Sequence, residues 1–385
     1  MVCPRFAEGG TVGGAETLLH RLAERLVLAG RKVTFLTTCA RDHQTWQNVL
    51  PPGPRTVDGL DVIYFPVDAN RDVRLFSELQ QAIGRGRPLA PDEEQAWLRN
   101  GANSTPLCEH LRSHGGEYDR ILAGPYLFSL VYYASLIHPG KTLLVPCLHD
   151  EGFAYLGVMH TLFGSVAGCL FNSEPERDLA VRVYGCDPGQ SVVCGMGFEA
   201  FEADPHAFAR RHRLPRPYVM YSGRRETGKG VPLLTEYVHL FRQRTGRDID
   251  LVFTGSGAIE APEALWPHIH DFGFVSESEL HEAMAGALAF VHPSIYESLG
   301  IVLLESFLAR TPALVHAQSP VLRWQCQRSG AGLWFRQYPE FEEELLLLME
   351  HADLRRRMGA HGREFVLREY TWEAVARRLL ARLDR

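Results

Sequence analysis

Short β-branched and apolar runs alternate with helical patterns from one end of the chain to the other. The segments 33–38, 62–65, 120–123, 142–147, 169–171 and 191–194 read as buried strands, and 218–222, 251–254, 288–292 and 312–315 repeat the pattern later. Between them lie stretches such as 17–28, where Leu18, Leu22 and Leu26 fall on one face and Gly30 supplies a stop. This alternation dictates α/β folding, because parallel strands need crossover connections and the crossover helices cover both sheet faces. With 385 residues the chain has room for two or three domains. A break is expected at 199–217, where the acidic stretch 199–204 gives way to basic 210–216, with Pro215 and Pro217 just before a new strand. The basic run reads either as a solvated linker or as a phosphate or lipid contact. Residues 70–115 are polar and interrupted by glycine and proline, as in an insertion of short helices that carries function.

Composition narrows the function classes. Apolar residues at 45% and charged residues at 22% fit an ordinary globular protein. A formal net charge of −6 gives no basic excess to argue for nucleic acid. The cysteines at 3, 39, 108, 147, 169, 186, 194 and 326 form no CxxC pair, which speaks against a zinc site and fits a reducing cytoplasm. No secretory segment is visible, and the longest nearly apolar run, 121–137, contains Gly124, Pro125, Ser129 and Ser135. A soluble or at most peripheral protein is expected.

Three constellations carry chemistry. Gly13, Gly14, Ala15 and Glu16 stand at the amino end of the first helix, where glycines admit a ligand to the backbone and free amides favour an anion. The same glycines also suit a simple tight turn, and they do not form the GxGxxG dinucleotide pattern. The second constellation follows the strand 218–222: Gly223, Arg224, Lys229 and Gly230 frame a strand-to-helix loop whose two cations suit a diphosphate. Only three of the 40 basic residues are lysines (Lys32, Lys141 and Lys229), so a lysine kept in this loop points to a need for a compact point charge.

The third constellation is the most telling. His292 ends a strand, Glu297 follows it, and Ser298, Leu299, Gly300 and Ile301 lead into an apolar helix interrupted by Glu305. Burying a carboxylate costs several kcal/mol unless donors meet it. The spacing of the two glutamates places them along one helix face, and a pair of carboxylates facing one cleft suits a polyhydroxyl ligand. A structural cap with a buried ion pair accounts for the same residues. Two metal-like patterns are set aside: Asp248 and Asp250 precede a strand as entry polarity, and His268 and His270 lack a carboxylate in register.

Taken together, these motifs resemble a retaining glycosyltransferase of glycosyltransferase family 4 over nearly the whole chain. The E-x7-E pair, Glu297 and Glu305, and the loop of Gly223, Arg224, Lys229 and Gly230 are the most specific matches. Supporting matches are the Gly13–Gly14 turn, His149 with Asp150, and Gly255 with Gly257. The resemblance implies a GT-B architecture, two Rossmann-like α/β domains facing a central cleft. An acceptor domain would cover 1–203 and a nucleotide-sugar donor domain 204–371, with the terminal helix 372–385 returning to the first. It implies that Arg224 and Lys229 bind the donor diphosphate and that Glu305 holds the ribose. Backbone near Val275 would meet the base, and Glu297 with the amides of Ser298, Leu299, Gly300 and Ile301 would grip the sugar. His149 would sit at the reaction centre, with Gly13 and Gly14 facing the phosphate.

No metal or other cofactor is expected; the donor would be a UDP-, GDP- or ADP-sugar. The acceptor would be a glycan or lipid-linked molecule in cell-surface polysaccharide synthesis, at the inner face of the membrane if an anionic leaflet attracts the basic stretches. A non-catalytic sugar-nucleotide-binding protein of the same fold is the alternative. A phosphorylase-like enzyme would need a lysine for pyridoxal phosphate, and Lys229 is already inside the phosphate loop. Two departures stand out: the family's Gly-Phe-Gly after the first glutamate is Ser298, Leu299 and Gly300, and only Met1, Val2 and Cys3 precede Pro4 in the first strand.

Overall fold

The computed structural model describes residues 1–6, 13–225 and 227–384. The chain divides into two compact units, Met1–Met196 with Val375–Arg385, and Gly197–Ala374. The division falls before residue 203 for a physical reason. Phe198 forms a parallel bridge with Thr371, and the Arg363 guanidinium donates to Glu202 at 2.6 Å, which ties 197–203 to the second unit.

The first unit contains strands β1 (Thr34–Thr38), β2 (Gly53–Val57), β3 (Leu60–Phe65), β4 (Ile121–Ala123), β5 (Thr142–Leu144), β6 (Gly168–Phe171) and β7 (Val192–Val193). One set runs in the order β1-β3-β2 and the other β4-β5-β6-β7. The short amino-terminal segment joins them, because Val2 bridges Leu36 on one side and Ala123 on the other. Its brevity therefore costs no sheet continuity: Val2 N–H donates to Leu122 O at 2.7 Å and Leu36 N–H to Met1 O at 2.7 Å.

Residues 70–115 form the helices Val73–Gly84, Pro91–Asn100 and Thr105–His114. They are built into the core rather than appended to it. Leu79, Ile83, Trp97, Leu107 and Leu111 pack with Val2, Leu36, Tyr126 and Phe171. Each fully buried Leu or Phe contributes roughly 1.5–3 kcal/mol. Glu94 also accepts the N–H groups of Gly157 and Val158 at 3.0 and 2.9 Å, satisfying the open end of the helix Gly157–Ser165.

The last helix, Trp372–Leu383, begins in the second unit and finishes in the first. Arg378 donates to Cys194 O at 2.8 Å, and Arg382 to Gln190 O and Ala167 O at 2.9 Å each.

The second unit is one parallel six-stranded sheet of β8 (Tyr218–Ser222), β9 (Asp250–Thr254), β10 (Ile269–Asp271), β11 (Ala289–His292), β12 (Ala313–His316) and β13 (Gly332–Phe335). Its order is β10-β9-β8-β11-β12-β13. From β8 the chain builds outward to β10, then returns to lay β11 on the other side of β8. That reversal is a topological switch point, where the loops after two neighbouring strands part to leave a crevice. The core beneath is apolar and closed, with Val219, Tyr221, Phe253, Val291 and Phe341 all buried. Among the described residues no helix is long and apolar enough to cross a membrane.

Candidate active site

The phosphate-type loop and the glutamate loop meet at the switch point between β8 and β11. Gly223 leaves β8 with φ +138°, and its N–H donates to Thr254 O at 3.1 Å. Arg224 follows with its side chain exposed, and its carbonyl accepts the Tyr221 hydroxyl at 2.7 Å. Lys229 closes the turn Thr227–Lys229, and its Nζ donates to Glu297 Oε1 at 2.7 Å. The two loops approach backbone to backbone: a Cβ on Gly230, whose φ is +73°, would stand 2.6 Å from Pro293 O. Glycine is required there by both conformation and space.

Glu297 does not lie on the helix that carries Glu305, contrary to the one-face expectation. It sits in the loop before Gly300, the N-cap of the helix Ile301–Leu308. The loop turns through Gly300 at φ +78°, and Gly300 O accepts the amides of Leu303 and Leu304 at 3.1 and 3.2 Å. The amides at the start of this helix, including that of Ile301, therefore have no intrahelical acceptor. Ser298 is half-buried, whereas Leu299 is buried and its carbonyl accepts from Gln325 Nε2 at 3.3 Å.

Glu305 lies half-buried one turn into the helix, with no hydrogen-bond or ion-pair partner among the described residues. Burial, reinforced by the nearby Glu277 charge, pushes its carboxyl up to about 7. A desolvated carboxylate without a donor is a cost to the fold, and a vicinal diol would offset it with two hydroxyl donors.

Two residues to which the sequence motifs assign no role complete this region. His292 is buried at the end of β11, with Nε2 3.6 Å from Glu297 Oε1 and no partner for Nδ1 among the described residues. Burial pushes its imidazole down to about 4, so the ring is neutral beside the Lys229–Glu297 pair. Arg225 is pinned under the loops after β8, β9 and β10. It donates to Asp271 Oδ2 at 2.9 Å and to Gly257 O at 2.7 Å, and it lies 5.4 Å from the Phe253 ring centroid. Val275 stands half-buried just past β10, beside the exposed Phe274, in the loop this clamp supports.

In the first unit, Gly13 is the N-cap of the helix Gly14–Leu28, whose first backbone bond runs from Thr17 N–H to Gly13 O at 3.0 Å. The amides of Gly14, Ala15 and Glu16 thus have no intrahelical acceptor. Glu16 is engaged by Arg5, whose Nε donates to Oε1 at 3.1 Å in a buried pair. Residues 7–12, ahead of this turn, lie outside the described residues. His149 follows β5 at the carboxyl end of its sheet, with Nδ1 3.4 Å from Glu151 Oε1.

The metal-like patterns converge on one another. Asp250 is fully buried and bonds His270 Nε2 at 2.8 Å and His268 Nδ1 at 3.2 Å, so a carboxylate does lie in register with the histidines. Arg242 approaches His268 Nε2 at 2.8 Å, and Arg216 binds Asp248 at 2.6 Å. This polar staple sits at the start of β9, away from the carboxyl ends of the strands. No group of three metal-competent His, Cys, Asp or Glu side chains occurs among the described residues.

Residues 204–365 match the family described as glycosyl transferases group 1. An alpha-D-kanosaminyltransferase from Streptomyces kanamyceticus is 27% identical over 173 residues, 43% of this chain and 44% of the relative, so the match spans less than half of that protein. Sucrose-phosphate synthase from Thermosynechococcus elongatus has a similar structure, with a TM-score of 0.71 at 16% identity over 99% of this chain and 96% of that one. Anabaena HepE, determined with UDP and glucose, gives a TM-score of 0.69 at 14% identity over 98% of each chain. The second unit of this chain is a glycosyl transferases group 1 domain, and the whole chain has the GT-B fold of two Rossmann-like halves.

Proposed function

We propose that this protein is a retaining glycosyltransferase that moves a sugar from a nucleoside diphosphate sugar to a hydroxyl of a glycan or lipid-linked acceptor. The observation that carries the reading is the Lys229–Glu297 contact of 2.7 Å across the β8/β11 switch point, with Glu305 in the following helix, its carboxylate without a partner among the described residues. In this arrangement cation and carboxylate hold each other until a donor separates them. Lys229 then joins Arg224 on the diphosphate and stabilises the leaving phosphate, while Glu297 and the amides at Ser298 to Ile301 take the sugar hydroxyls. Glu305 accepts from the ribose, and backbone at Val275 meets the base. The HepE structures determined with UDP and with UDP-glucose support a uridine donor as the first to try.

Charge grows on the departing phosphate and on an oxocarbenium-like sugar, and pre-aimed cations act most strongly on it where water is excluded. Guanidinium, ammonium and helix amides supply that role here, so the reaction proceeds without a metal ion. Within the first unit, His149 and the Gly13–Gly14 turn are the groups proposed to act in the reaction. Among the described residues none of the eight cysteines forms a disulfide, which fits a cytoplasmic setting.

The test is incubation in EDTA with UDP-, GDP- and ADP-sugars over a panel of glycan and polyprenyl-phosphate acceptors, with the configuration at C1 read by NMR. A glycoside with the donor's anomeric configuration is expected. An inverted product, or turnover only on adding a divalent cation, overturns the mechanism.

A further inference from the structure

Glu176 stands in the first turn of the helix Glu174–Tyr184, where its N–H donates to the N-cap hydroxyl of Ser173 at 3.4 Å. A glutamate at this position ordinarily reaches back to its own N-cap amide and faces solvent. Here the residue is 1% exposed, and its carboxylate bonds the N-cap amide of Ser173 and also reaches the loop that follows a neighbouring strand. Oε1 accepts Leu148 N–H at 2.6 Å and Oε2 accepts Asn172 N–H at 2.5 Å, and the amide of Cys147 also bonds it. Burial pushes the carboxyl up to about 8 while these backbone amides oppose the shift, so the group is held in the core against a desolvation cost.

The loop it grips is itself strained. Cys147 adopts φ +53°, the left-handed region that a non-glycine residue occupies only when its surroundings impose it. Asn172 Nδ2 adds a contact to Cys147 Sγ at 3.5 Å. The next residue but one is His149, whose ring is a quarter exposed and has Glu151 as its one polar side-chain partner among the described residues, at 3.4 Å. With so little holding the ring directly, its place is set by the backbone that carries it. We propose that Glu176 is a positioning residue for His149, fixing the Cys147–Leu148 backbone so that the imidazole is presented in one orientation. The inference rests on His149 belonging to the reaction centre, as proposed above.

The test uses the full-length protein with 13C-labelled histidine, the His149 ring signal being assigned by its absence from His149→Ala. Glu176→Gln keeps the shape but replaces one accepting oxygen with an amide nitrogen that cannot accept, so the His149 signal should move while the remaining histidine signals stay in place. With a sugar nucleotide the wild type turns over, kcat should fall about 10–100-fold, the scale of a small misplacement in a reacting geometry. KM for the donor should stay within about twofold, and the loss should vanish in the His149→Ala background. If Glu176→Gln does not fold, Glu176→Asp keeps the carboxyl group, shortens the reach and should give the same pattern. An unmoved His149 signal, or an equal loss of kcat with and without His149, overturns the inference. A moved signal with His149→Ala as fast as wild type refutes instead the place of His149 in the reaction.

Discussion

Replacing Glu305 with glutamine should stabilise the protein at alkaline pH while disabling the proposed nucleotide site. The carboxyl is raised from its ordinary 4.5 to about 7 by burial and by Glu277, so the folded chain holds its proton more tightly than the unfolded one. Stability from this group is therefore fully present below pH 4.5 and is lost as pH rises through about 7. At about 1.36 kcal/mol per unit the full cost above pH 8 would be about 3 kcal/mol, and screening of this half-buried side chain reduces it to about 1–2 kcal/mol. Glutamine carries no such charge. The assay is urea unfolding, followed by tryptophan fluorescence, of wild type and Glu305→Gln from pH 4.5 to 8.5. The variant should match wild type at the acid end and exceed it by about 1–2 kcal/mol at the alkaline end. A variant less stable at pH 8.5, or an advantage that does not change with pH, would refute the claim that Glu305 is a desolvated carboxylate waiting for donors.

Other consequences follow from the same loops. Lys229→Ala should weaken nucleoside diphosphate binding at least about tenfold by isothermal titration, since a charge-assisted bond contributes about 1.5–3 kcal/mol; unchanged affinity would remove Lys229 from the phosphate site. Gly230→Ala meets both the left-handed φ of +73° and the Pro293 carbonyl at 2.6 Å. It should destabilise the second unit by about 1–3 kcal/mol in chemical denaturation, and a wild-type midpoint would show that the two loops separate easily. His292 is lowered from 6.5 to about 4 by burial, so the unfolded chain takes up this proton first and stability falls as pH drops through that window. His292→Asn should flatten the decline between pH 6.5 and 4, and an unaltered acid limb would mean that another group controls it.

Much of the fold could be read from the sequence because a parallel sheet writes itself as uninterrupted apolar runs. The strand Tyr218–Ser222 emerges with the expected ends, buried throughout. The edge strands were harder to see. Gly53–Val57 carries Pro54, follows Pro51 and Pro52, and pairs antiparallel to β3, so it lacks the buried-run signature. The run 142–147 continues the apolar pattern beyond its strand, which ends at Leu144 before Pro146 and left-handed Cys147 interrupt the ladder. At the site, glycine and charge patterns located Lys229, Glu297 and Glu305, but contact between side chains 68 residues apart comes only from the crossover that places β11 beside β8. His292 resembles an ordinary strand-end histidine, and Glu176 an ordinary capping glutamate. Their character comes from burial and from partners on other strands, which local pattern does not encode. Asp250 shows the converse: the carboxylate that looked like strand-entry polarity is the buried centre of two histidine contacts.

Lys229, Glu297 and Glu305 are proposed to bind a nucleoside diphosphate in the second unit. A thermal-shift titration with UDP, GDP, ADP and dTDP, with and without EDTA, on wild type and Glu305→Gln tests this assignment most directly. At a hundredfold excess over Kd a specific ligand stabilises by about 2.7 kcal/mol, about 5–10 °C for a unit of this size. Such a rise is expected with one diphosphate, unaffected by EDTA and absent from Glu305→Gln. No rise with any of the four, or an equal rise in the variant, would contradict the assignment.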